Sequence, residues 1–297
     1  MQYLKRMSLW CFIIIFTLLG LSACVSTTTY NNTDTVIKKV DVKQGDLQEE
    51  SSELSGQFNE SENSTNQTFN ITQAPTAFNL SLYSQQAATQ LSSLTANFKD
   101  WEFQNFPGKK QTRYELVQAK QINLIKATAN SSASMLRKRL ALDPKNYQSV
   151  KMAWKVVEKA KNAQITQAHL DDSSMRLVLA FDGDKNKWAA KDAVLSELSE
   201  LLTGEPMPYA TLMYVLCDEC PFEAVIHNQK TSRIRYLVVG KATGFEGKWQ
   251  FLKRNIHEDF VKSFQEPPGE LVSLGIMTDG DNSKASTSTW YGPVVLE

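Results

Sequence analysis

The amino-acid sequence predicts an all-β sandwich or barrel with helical inserts for residues 96–297. From about Thr95 onward, apolar and polar residues alternate and β-branched and aromatic residues become frequent, which is typical of half-buried strands. Turn-forming pairs such as Pro107-Gly108 and Asp143-Pro144 separate these segments. Many short strands in one stretch favour a sandwich or barrel over a parallel α/β sheet. The predicted strands are residues 101–106, 112–118, 123–129, 135–142, 150–157, 175–181, 211–216, 234–239, 248–252, 271–277 and 289–296.

Two helical inserts interrupt the predicted strands. Residues 187–203 place apolar side chains on one helical face, and Gly204 suits the position just after the helix C-terminus. The apolar residues of that face are Val194, Leu195, Leu198, Leu201 and Leu202. The face is expected to pack on the sandwich, with contact to a protein partner as the alternative. The second helix, residues 257–264, is short and ends before Pro267-Pro268.

The N-terminal residues have the pattern of a bacterial lipoprotein signal. Lys5 and Arg6 precede an apolar run over residues 9–21, and Leu21-Ser22-Ala23-Cys24 closes it. This pattern predicts a signal peptide over residues 1–23 and acyl chains, palmitate among them, on Cys24. The alternatives are a transmembrane anchor, for which the apolar run is too short, and a plain signal peptide with an incidental cysteine. Because Val25 rather than an acidic residue follows, the expected destination is the outer membrane of a Gram-negative cell envelope.

Residues 24–95 are predicted to be a disordered tether between the lipid and the sandwich. They are rich in Ser, Thr, Asn, Gln and Glu and poor in large apolar residues, so they cannot bury enough apolar surface to offset the entropy of ordering. A short helical stretch is predicted for residues 84–94.

Charge and cysteine content narrow the classes of function. The formal net charge is zero and no basic stripe occurs, so a nucleic-acid partner is not expected. Cys217 and Cys220 stand as C-x-x-C after a strand-like segment and before Pro221. A redox site would place such a pair at a helix N-terminus, and a structural zinc site needs four ligands. A local disulfide in an oxidising compartment is therefore the expected state.

Acidic and amide side chains supply the candidate binding residues. Asp171 and Asp172 precede a predicted strand that contains Arg176. Asp279, Asp281 and Asn282 lie on a glycine-containing loop, where their oxygens suit a hard cation such as calcium. A plain turn explains the same residues, because Asp, Asn and Gly dominate turns. The neighbouring residues Arg254 and Asn255 are expected to pair with one of these carboxylates across the sheet, since arginine binds carboxylates in a fixed geometry.

No catalytic motif is present in the sequence: it contains no G-x-S-x-G, no phosphate loop and no H-E-x-x-H. Two carboxylates at a suitable separation could hydrolyse a glycosidic bond, but a sequence does not give that separation. Aromatic residues could form a platform on which sugar rings stack, although most of them alternate with apolar neighbours and are expected in the core. They are Trp101, Tyr114, Trp154, Trp188, Trp249, Trp290 and Tyr291.

From Trp101 to the C-terminus, the order and spacing of several short motifs resemble the bacterial family called domain of unknown function 3047. The motifs are Trp101-Glu102-Phe103, residues 107–114, residues 131–134, Trp154-Lys155-Val156, Asp171-Asp172 with Arg176, Arg254-Asn255 with Asp259, residues 275–282 and Tyr291-Gly292. The resemblance implies a jelly-roll, galactose-binding-like sandwich, a shape shared with many carbohydrate-binding modules, and it implies no established activity. The chain departs from the family pattern at Cys217 and Cys220 and in the length of the insert from Lys187.

The leading functional hypothesis is a lipid-anchored envelope protein whose sandwich binds a glycan or another polar ligand without catalysis. The residues expected to form the site or its scaffold are Asp171, Asp172, Arg176, Arg254, Asn255, Asp279, Asp281 and Asn282. One alternative is a carboxylate-based hydrolase of an envelope polysaccharide. Another is a structural lipoprotein that contacts an envelope protein through residues 187–203. No cofactor is expected, with calcium as the alternative.

Overall fold

Twelve β-strands and two α-helices form the part of the chain that the computed structural model describes, residues 100–119 and 122–297. The strands are β1 (Trp101–Asn105), β2 (Arg113–Ala119), β3 (Ile122–Asn130), β4 (Ser134–Leu142), β5 (Ser149–Glu158), β6 (Arg176–Phe181), β7 (Ala210–Leu216), β8 (Val225–His227), β9 (Ile234–Gly240), β10 (Trp249–Asn255), β11 (Leu271–Met277) and β12 (Ser286–Leu296). The helices are α1 (Ala190–Thr203) and α2 (Ile256–Phe264).

The strands form two sheets. Sheet A has seven strands in the order β1-β4-β11-β6-β7-β9-β8, and sheet B has five in the order β10-β5-β12-β3-β2. Neighbouring strands are antiparallel except β7 and β9, which are parallel. In the parallel pair, the connecting segment contributes β8, which then pairs with β9 at the edge of the sheet.

The strand pairing is that of a jelly roll. β3 pairs with β12 in sheet B, β4 with β11 in sheet A, and β5 with β10 in sheet B. An early strand therefore pairs with a late one, and successive pairs alternate between the two sheets, as happens when a long antiparallel ribbon folds over itself. The predicted fold class, an all-β jelly-roll sandwich with helical inserts, is confirmed.

The hydrophobic core lies between the two sheets. Alternate side chains point inward along each strand, among them Trp154 of β5, Tyr214 of β7 and Tyr291 of β12, all fully buried. Helix α2 closes one part of this core, because Phe260 packs against Phe181 in an edge-to-face arrangement with ring centroids 4.7 Å apart. Burying an aromatic side chain of this kind stabilises a fold by roughly 1.5–3 kcal/mol.

All eleven predicted strands are present, and one strand was not predicted. Strand β8 has three residues, too few for an alternating pattern to be recognised. Helix α2 begins one residue earlier than predicted, at Ile256. Its N-terminus is capped by Asn255, whose side-chain oxygen accepts a hydrogen bond from the Glu258 backbone amide at 3.2 Å.

The prediction that the apolar face of the first helix packs on the sandwich is wrong. Val194, Leu198, Leu201 and Leu202 are 47–82% exposed. The buried face of α1 is instead polar. Asp192 accepts hydrogen bonds from the Thr231 hydroxyl (2.6 Å) and the Ser232 amide (3.1 Å), and the Ser196 hydroxyl accepts one from the Met207 amide at 3.0 Å.

Helix α1 ends as predicted, with Gly204 in the left-handed conformation (φ 79°). It begins at Ala190 rather than at residue 187, because Lys185–Lys187 form a 3-10 turn capped by Asp184. The contact with a protein partner proposed for its apolar face stays a prediction.

The predicted signal peptide, the lipid on Cys24, the tether and the helix at residues 84–94 all fall outside the described residues. Within the described residues, no helix is long and apolar enough to cross a membrane.

Cys217 and Cys220 form a disulfide in the turn after β7, with their α-carbons 5.4 Å apart. Both cysteines are buried beside Ile165, Tyr236 and Val238, in a small apolar cluster on the outer side of sheet A. The pair is thus part of the packing at the end of the sandwich.

We expect the Cys217→Ser/Cys220→Ser variant to lose about 2 kcal/mol of unfolding free energy, because a disulfide that closes so short a loop restricts the unfolded chain only modestly. Denaturant unfolding measures this loss. Adding a reductant to the native protein should reproduce it and should leave the variant unchanged. A loss above about 5 kcal/mol would contradict the view that the bridge acts only locally.

Candidate functional site

The strand order of sheet A brings two acidic segments together. β6 and β11 are antiparallel neighbours, and Arg176 at the start of β6 lies opposite Met277 at the end of β11. The segment before β6 therefore meets the segment after β11 at one edge of the sheet. Six of the eight residues expected to form a site meet here, namely Asp171, Asp172, Arg176, Asp279, Asp281 and Asn282. We call these six residues, together with Lys109, the acidic cluster.

Arg176 is the cation at the centre of the acidic cluster. Its Nε donates to Asp279 Oδ1 at 2.9 Å, and one terminal nitrogen reaches Asp279 Oδ2 at 3.2 Å and Asp171 Oδ1 at 3.0 Å. The guanidinium lies over the ring of Tyr236, 5.1 Å from its centroid, and the Tyr236 hydroxyl donates to Asp171 Oδ2 at 2.7 Å. Asp279 also accepts a hydrogen bond from the Ser173 amide at 3.1 Å. The guanidinium is thus held by two carboxylates and by the Tyr236 ring.

The other two carboxylates are held by backbone amides and by a lysine. Asp172 accepts hydrogen bonds from the amides of Asn282 (3.2 Å) and Ser283 (2.6 Å). Asp281 forms an ion pair with Lys109, which lies in the loop between β1 and β2. Lys109 was not predicted as a cluster residue, because nothing in its local sequence indicates a partner 172 residues away.

Hydroxyl groups fix the base of the acidic cluster. The Ser174 carbonyl accepts hydrogen bonds from Thr278 Oγ1 (2.9 Å) and Thr289 Oγ1 (2.8 Å). The Tyr291 hydroxyl donates to the Met277 carbonyl at 2.8 Å. The turn also needs a glycine at position 280, because an added Cβ would lie 2.5 Å from the carbonyl oxygen of Ala285. The acidic turn is therefore set rigidly on the core.

Three carboxylates of the cluster are close enough to hold a cation. One oxygen from each of Asp172, Asp279 and Asp281 lies within 4.8 Å of the others, and all three residues are buried. Oxygen ligands at this spacing fit calcium. The same oxygens are already bonded to Arg176, Lys109 and backbone amides, so a cation would share them with these donors. Calcium binding stays a prediction.

Burial dominates the electrostatics of Asp279. Removal from water raises the pKa of this carboxyl from 3.8 to about 7, against the opposing effect of the Arg176 guanidinium. Asp171 and Asp172 add to the rise, since like charges disfavour ionisation. Burial also disfavours the charge on Arg176, but Asp279 and Asp171 outweigh it and raise the pKa of the guanidinium. The cluster thus holds more negative charge than its cations neutralise.

Arg254 and Asn255 do not join this cluster, so the expected pairing across the sheet is wrong. Arg254 ends β10 in sheet B and binds Asp259 of α2 through Nε at 2.8 Å, and Glu223 at 2.6 Å. Tyr214 donates to the same Asp259 at 2.9 Å. Asn255 caps α2. The pairing failed because β10 is an edge strand of the other sheet.

The acidic cluster does not have the open carboxylate pair that a hydrolase needs. Asp279, the carboxylate bound by Arg176, is 2% exposed. A groove of about 370 Å³ beside β1 contains two other acids, Glu102 and Glu205. Both are bound by Arg137 and Arg139, and hydrogen bonds from the two arginines lower the pKa of Glu205 despite its partial burial. A general acid needs a raised pKa.

A row of tryptophan and lysine side chains crosses the outer face of sheet B. Trp249 of β10 lies opposite Lys155 of β5, Lys155 opposite Trp290 of β12, and Trp290 opposite Lys126 of β3. We call these four residues the Trp–Lys row. Lys155 Nζ lies 5.5 Å from the Trp249 ring centroid, and Lys126 Nζ lies 5.3 Å from that of Trp290. Opposed residues share a face of the sheet, so the four side chains form one line.

The remaining aromatic candidates lie elsewhere. Trp188 stacks on Tyr209 with ring centroids 6.3 Å apart, beside Lys185. The others belong to the core, namely Trp101, Tyr114, Trp154 and Tyr291. The expectation that most of these aromatic residues are buried in the core holds for these four. Trp249 and Trp290 lie on the outer face of sheet B and are 6% and 7% exposed.

The row continues to a fifth strand and has neighbours of the same type. Glu115 of β2 lies opposite Lys126 and is bound by Arg113. Farther along the face, Lys253 of β10 lies opposite Lys151 of β5. Four lysines thus share a face with two tryptophans.

We expect Asp279→Asn to remove a pH dependence of stability. A carboxyl with a raised pKa in the folded protein binds its proton more tightly there than in the unfolded chain, so its contribution to stability declines as the pH rises from 3.8 to about 7. Asparagine does not titrate. With a chelator present, the difference in unfolding free energy between the variant and the native protein should therefore shift in favour of the variant as the pH rises from 3.8 to about 7.

Asp192→Asn is the matched control for that experiment. Although burial opposes it, hydrogen bonds from Ser232 and Thr231 lower the pKa of Asp192, so its contribution is lost only as the pH falls below about 4. The difference in unfolding free energy between Asp192→Asn and the native protein should stay constant between pH 4 and 7. A level difference for Asp279→Asn would contradict the assignment. Calcium bound at Asp279, Asp281 and Asn282 would displace the proton and abolish the slope.

Several solved structures share the general shape of this domain. The catalytic domain of Humicola grisea Cel12A, solved with a thio cellotetraose, has 8% sequence identity and a TM-score of 0.41, over 67% of this chain and 93% of that one. Trichoderma harzianum endoglucanase 3 from family GH12 has 7% identity and a TM-score of 0.39, over 67% and 91%. The family 11 carbohydrate-binding module of the Clostridium thermocellum cellulase Lic26A-Cel5E has 10% identity and a TM-score of 0.34, over 66% and 86%. At these values none of them bears on the chemistry of this chain.

No curated protein matches the sequence. A family model does match it, over residues 99–295, and is described as a protein of unknown function, DUF3047. The matched residues include the acidic cluster and all four members of the Trp–Lys row. Since the match covers more than half of the sequence, the chain belongs to the family DUF3047.

Proposed function

We propose that the sandwich binds an acidic glycan of the cell envelope along the Trp–Lys row, without catalysing a reaction. The observation that carries the proposal is the alternation of Trp249, Lys155, Trp290 and Lys126 across four neighbouring strands. Strands in a sheet are about 4.8 Å apart, so the two tryptophans are separated by about 10 Å along a straight line. This geometry suits an extended polymer that repeats the same contact.

The chemistry of the row matches a sugar with a carboxylate or sulfate group. A pyranose ring has an apolar face that packs on an indole, and hydroxyls at its edge that accept hydrogen bonds. Tryptophan offers both a large apolar surface and an N–H donor. Lysine presents a compact charge on a flexible stem, which suits anions whose positions vary along a polymer. Both residue types therefore contribute to one ligand.

Two buried donors on this face support a polar ligand. Trp249 Nε1 has no hydrogen-bond partner among the described residues, and neither has the hydroxyl of Ser288, which lies two residues before Trp290 on the same side of β12. Buried polar groups are nearly always hydrogen-bonded in folded proteins. Hydroxyl and ring oxygens of a glycan would satisfy both donors. In the acidic cluster, by contrast, the carboxylates are already bonded within the protein.

The proposed location is the membrane surface, through acyl chains on Cys24 after removal of residues 1–23. Two or more acyl chains hold a protein firmly to a bilayer. Intact-mass spectrometry of the protein purified from bacterial membranes should show a chain that begins at Cys24 and carries the mass of a diacylglyceryl group. An unmodified Cys24 in that preparation would contradict the proposal.

We expect Trp249→Ala/Trp290→Ala to weaken binding to acidic polysaccharides by about 5- to 150-fold, since each lost stacking contact is worth about 0.5–1.5 kcal/mol. Calorimetric titration with uronate-containing and neutral polysaccharides measures the effect. Binding of the native protein should weaken as salt is added, because lysines supply part of the attraction.

Trp188→Ala is the matched control, because Trp188 also has a lysine over its ring, 5.2 Å from Lys185 Nζ, but lies away from sheet B. It should leave the affinity unchanged. The proposal fails if no polysaccharide binds the native protein, or if the double variant and the control lose affinity equally.

A further inference from the structure

Helix α1 turns its apolar face away from the sandwich. Seven large apolar side chains are exposed within residues 100–119 and 122–297, and four of them belong to α1, namely Val194, Leu198, Leu201 and Leu202. At about 100° per residue, the centre of this face lies nearly opposite Asp192 and Ser196, the buried residues of α1. An apolar patch that the fold leaves exposed is the usual mark of an interaction surface.

The exposed side chains have the spacing of a contact between two helices. Leu198 follows Val194 by four positions and Leu201 follows Leu198 by three, which is the repeat with which helices pack along each other. Lys191 occupies the preceding position of the same repeat, and Leu202 borders it. The face therefore suits another helix as its partner.

The charged residues of α1 are placed against its own dipole. Lys191 lies in the first turn and Glu200 in the last, with Glu197 one turn before the helix end. A helix is instead stabilised by acids near its N-terminus and by bases near its C-terminus. None of the three side chains forms an ion pair with a described residue. These charges thus do not serve the isolated helix.

The start of α1 also lacks a side-chain cap. Ala189 stands at the N-cap position and accepts no hydrogen bond with its side chain. The first amides of a helix have no acceptor within the helix itself. Asp192, the acid of the first turn, is bound to Thr231 and Ser232. A carboxylate from outside the helix would therefore be favourable at this end.

We propose that α1 packs antiparallel on α1 of a second copy of this chain, so that the protein forms a two-fold symmetric dimer. In that arrangement Lys191 of each copy approaches Glu197 and Glu200 of the other. The acids of one copy then lie near the uncapped N-terminus of the other helix, and the lysine lies near its C-terminus, where each charge favours the dipole.

The symmetry explains why one helix carries both kinds of charge. A two-fold interface uses the same patch on both copies, so the patch must complement itself. Lysine at one end and glutamate at the other meet this requirement only when the two helices run antiparallel. An anionic membrane surface suits the helix less well, because α1 contains three acids and one lysine.

The length of α1 sets the expected strength of the dimer. Its 14 residues span about 21 Å, so the contact is at the small end of specific interfaces. We therefore expect a reversible dimer that dissociates on dilution. The inference does not depend on the proposed glycan binding, because α1 contributes no residue to the Trp–Lys row.

Sedimentation equilibrium of the purified full chain tests the proposal. The native chain should pass from monomer to dimer as its concentration rises. The Leu198→Ser/Leu201→Ser variant should raise the dissociation constant at least about tenfold, since each dimer buries four such leucines. Its unfolding free energy at monomer concentrations should stay native, because the two side chains are 47% and 82% exposed in a single copy.

Phe222→Ser is the matched control. Phe222 is 55% exposed and lies in the segment after β7, outside α1. This variant should dimerise like the native chain. Equal weakening by Phe222→Ser and by the leucine variant would show nonspecific association and would overturn the proposal.

Charge reversal tests the antiparallel arrangement. Lys191→Glu should weaken the dimer, and so should Glu197→Lys/Glu200→Lys, because like charges then meet across the interface. Combining all three substitutions in one chain should restore the dimer, and so should mixing the two weakened variants. Lys191→Glu also places an acid in the first helical turn, so its effect does not come from a loss of helix stability.

Three results would overturn the proposal. The first is a native chain that stays monomeric at every concentration, which would direct the search to a different protein as the partner of α1. The second is a dimer that survives Leu198→Ser/Leu201→Ser, because it uses another surface. The third is a combined charge variant that stays as weak as its parents, because the helices then do not pair antiparallel.

Discussion

The guanidinium of Arg176 and the carboxylate of Asp279 face each other almost without solvent, where β6 begins and β11 ends. Breaking a buried pair of this kind by removing one partner costs about 3–5 kcal/mol, because the other charge is left without compensation. The surrounding groups add to this pair: the Ser173 amide donates to Asp279, and the terminal guanidinium nitrogen that reaches Asp279 also donates to Asp171. This requirement fixes the path of the chain on both sides of the two strands.

The same constraint reaches the opposite sheet through β12. This strand starts just after the acidic turn, and Thr289 and Tyr291 direct their hydroxyls inward to the Ser174 and Met277 carbonyls. Successive side chains of a strand point to opposite faces, so Trp290, between these two residues, must point outward. The position of one tryptophan of the Trp–Lys row thus follows from the hydrogen bonds that hold the acidic cluster on the core.

Local patterns in the sequence correctly predicted the structural features that depend on neighbouring residues. They missed the contacts that depend on strand order. The alternating segments gave all eleven strands, and Gly204 gave the end of α1. The periodicity of α1 indicated the wrong buried face, because two polar residues, Asp192 and Ser196, found specific partners on the sandwich. Arg254 has the chemistry expected of a partner for Asp279, but its strand lies at the edge of the other sheet.

Polar residues that lie close together in the sequence are readily identified as a candidate site. Asp279, Asp281 and Asn282 form such a group. Their hydrogen-bonding capacity is largely used within the fold, which leaves little for a ligand. The members of the Trp–Lys row stand at positions 126, 155, 249 and 290. They are far apart in the sequence, so no short stretch of it contains two of them. Two of the six buried side-chain atoms that lack a hydrogen-bond partner among the described residues, Trp249 Nε1 and Ser288 Oγ, lie on this face. A binding surface gains free energy from groups that the fold leaves unsatisfied. That difference, rather than the density of charged residues, is the reason for proposing the binding surface on sheet B.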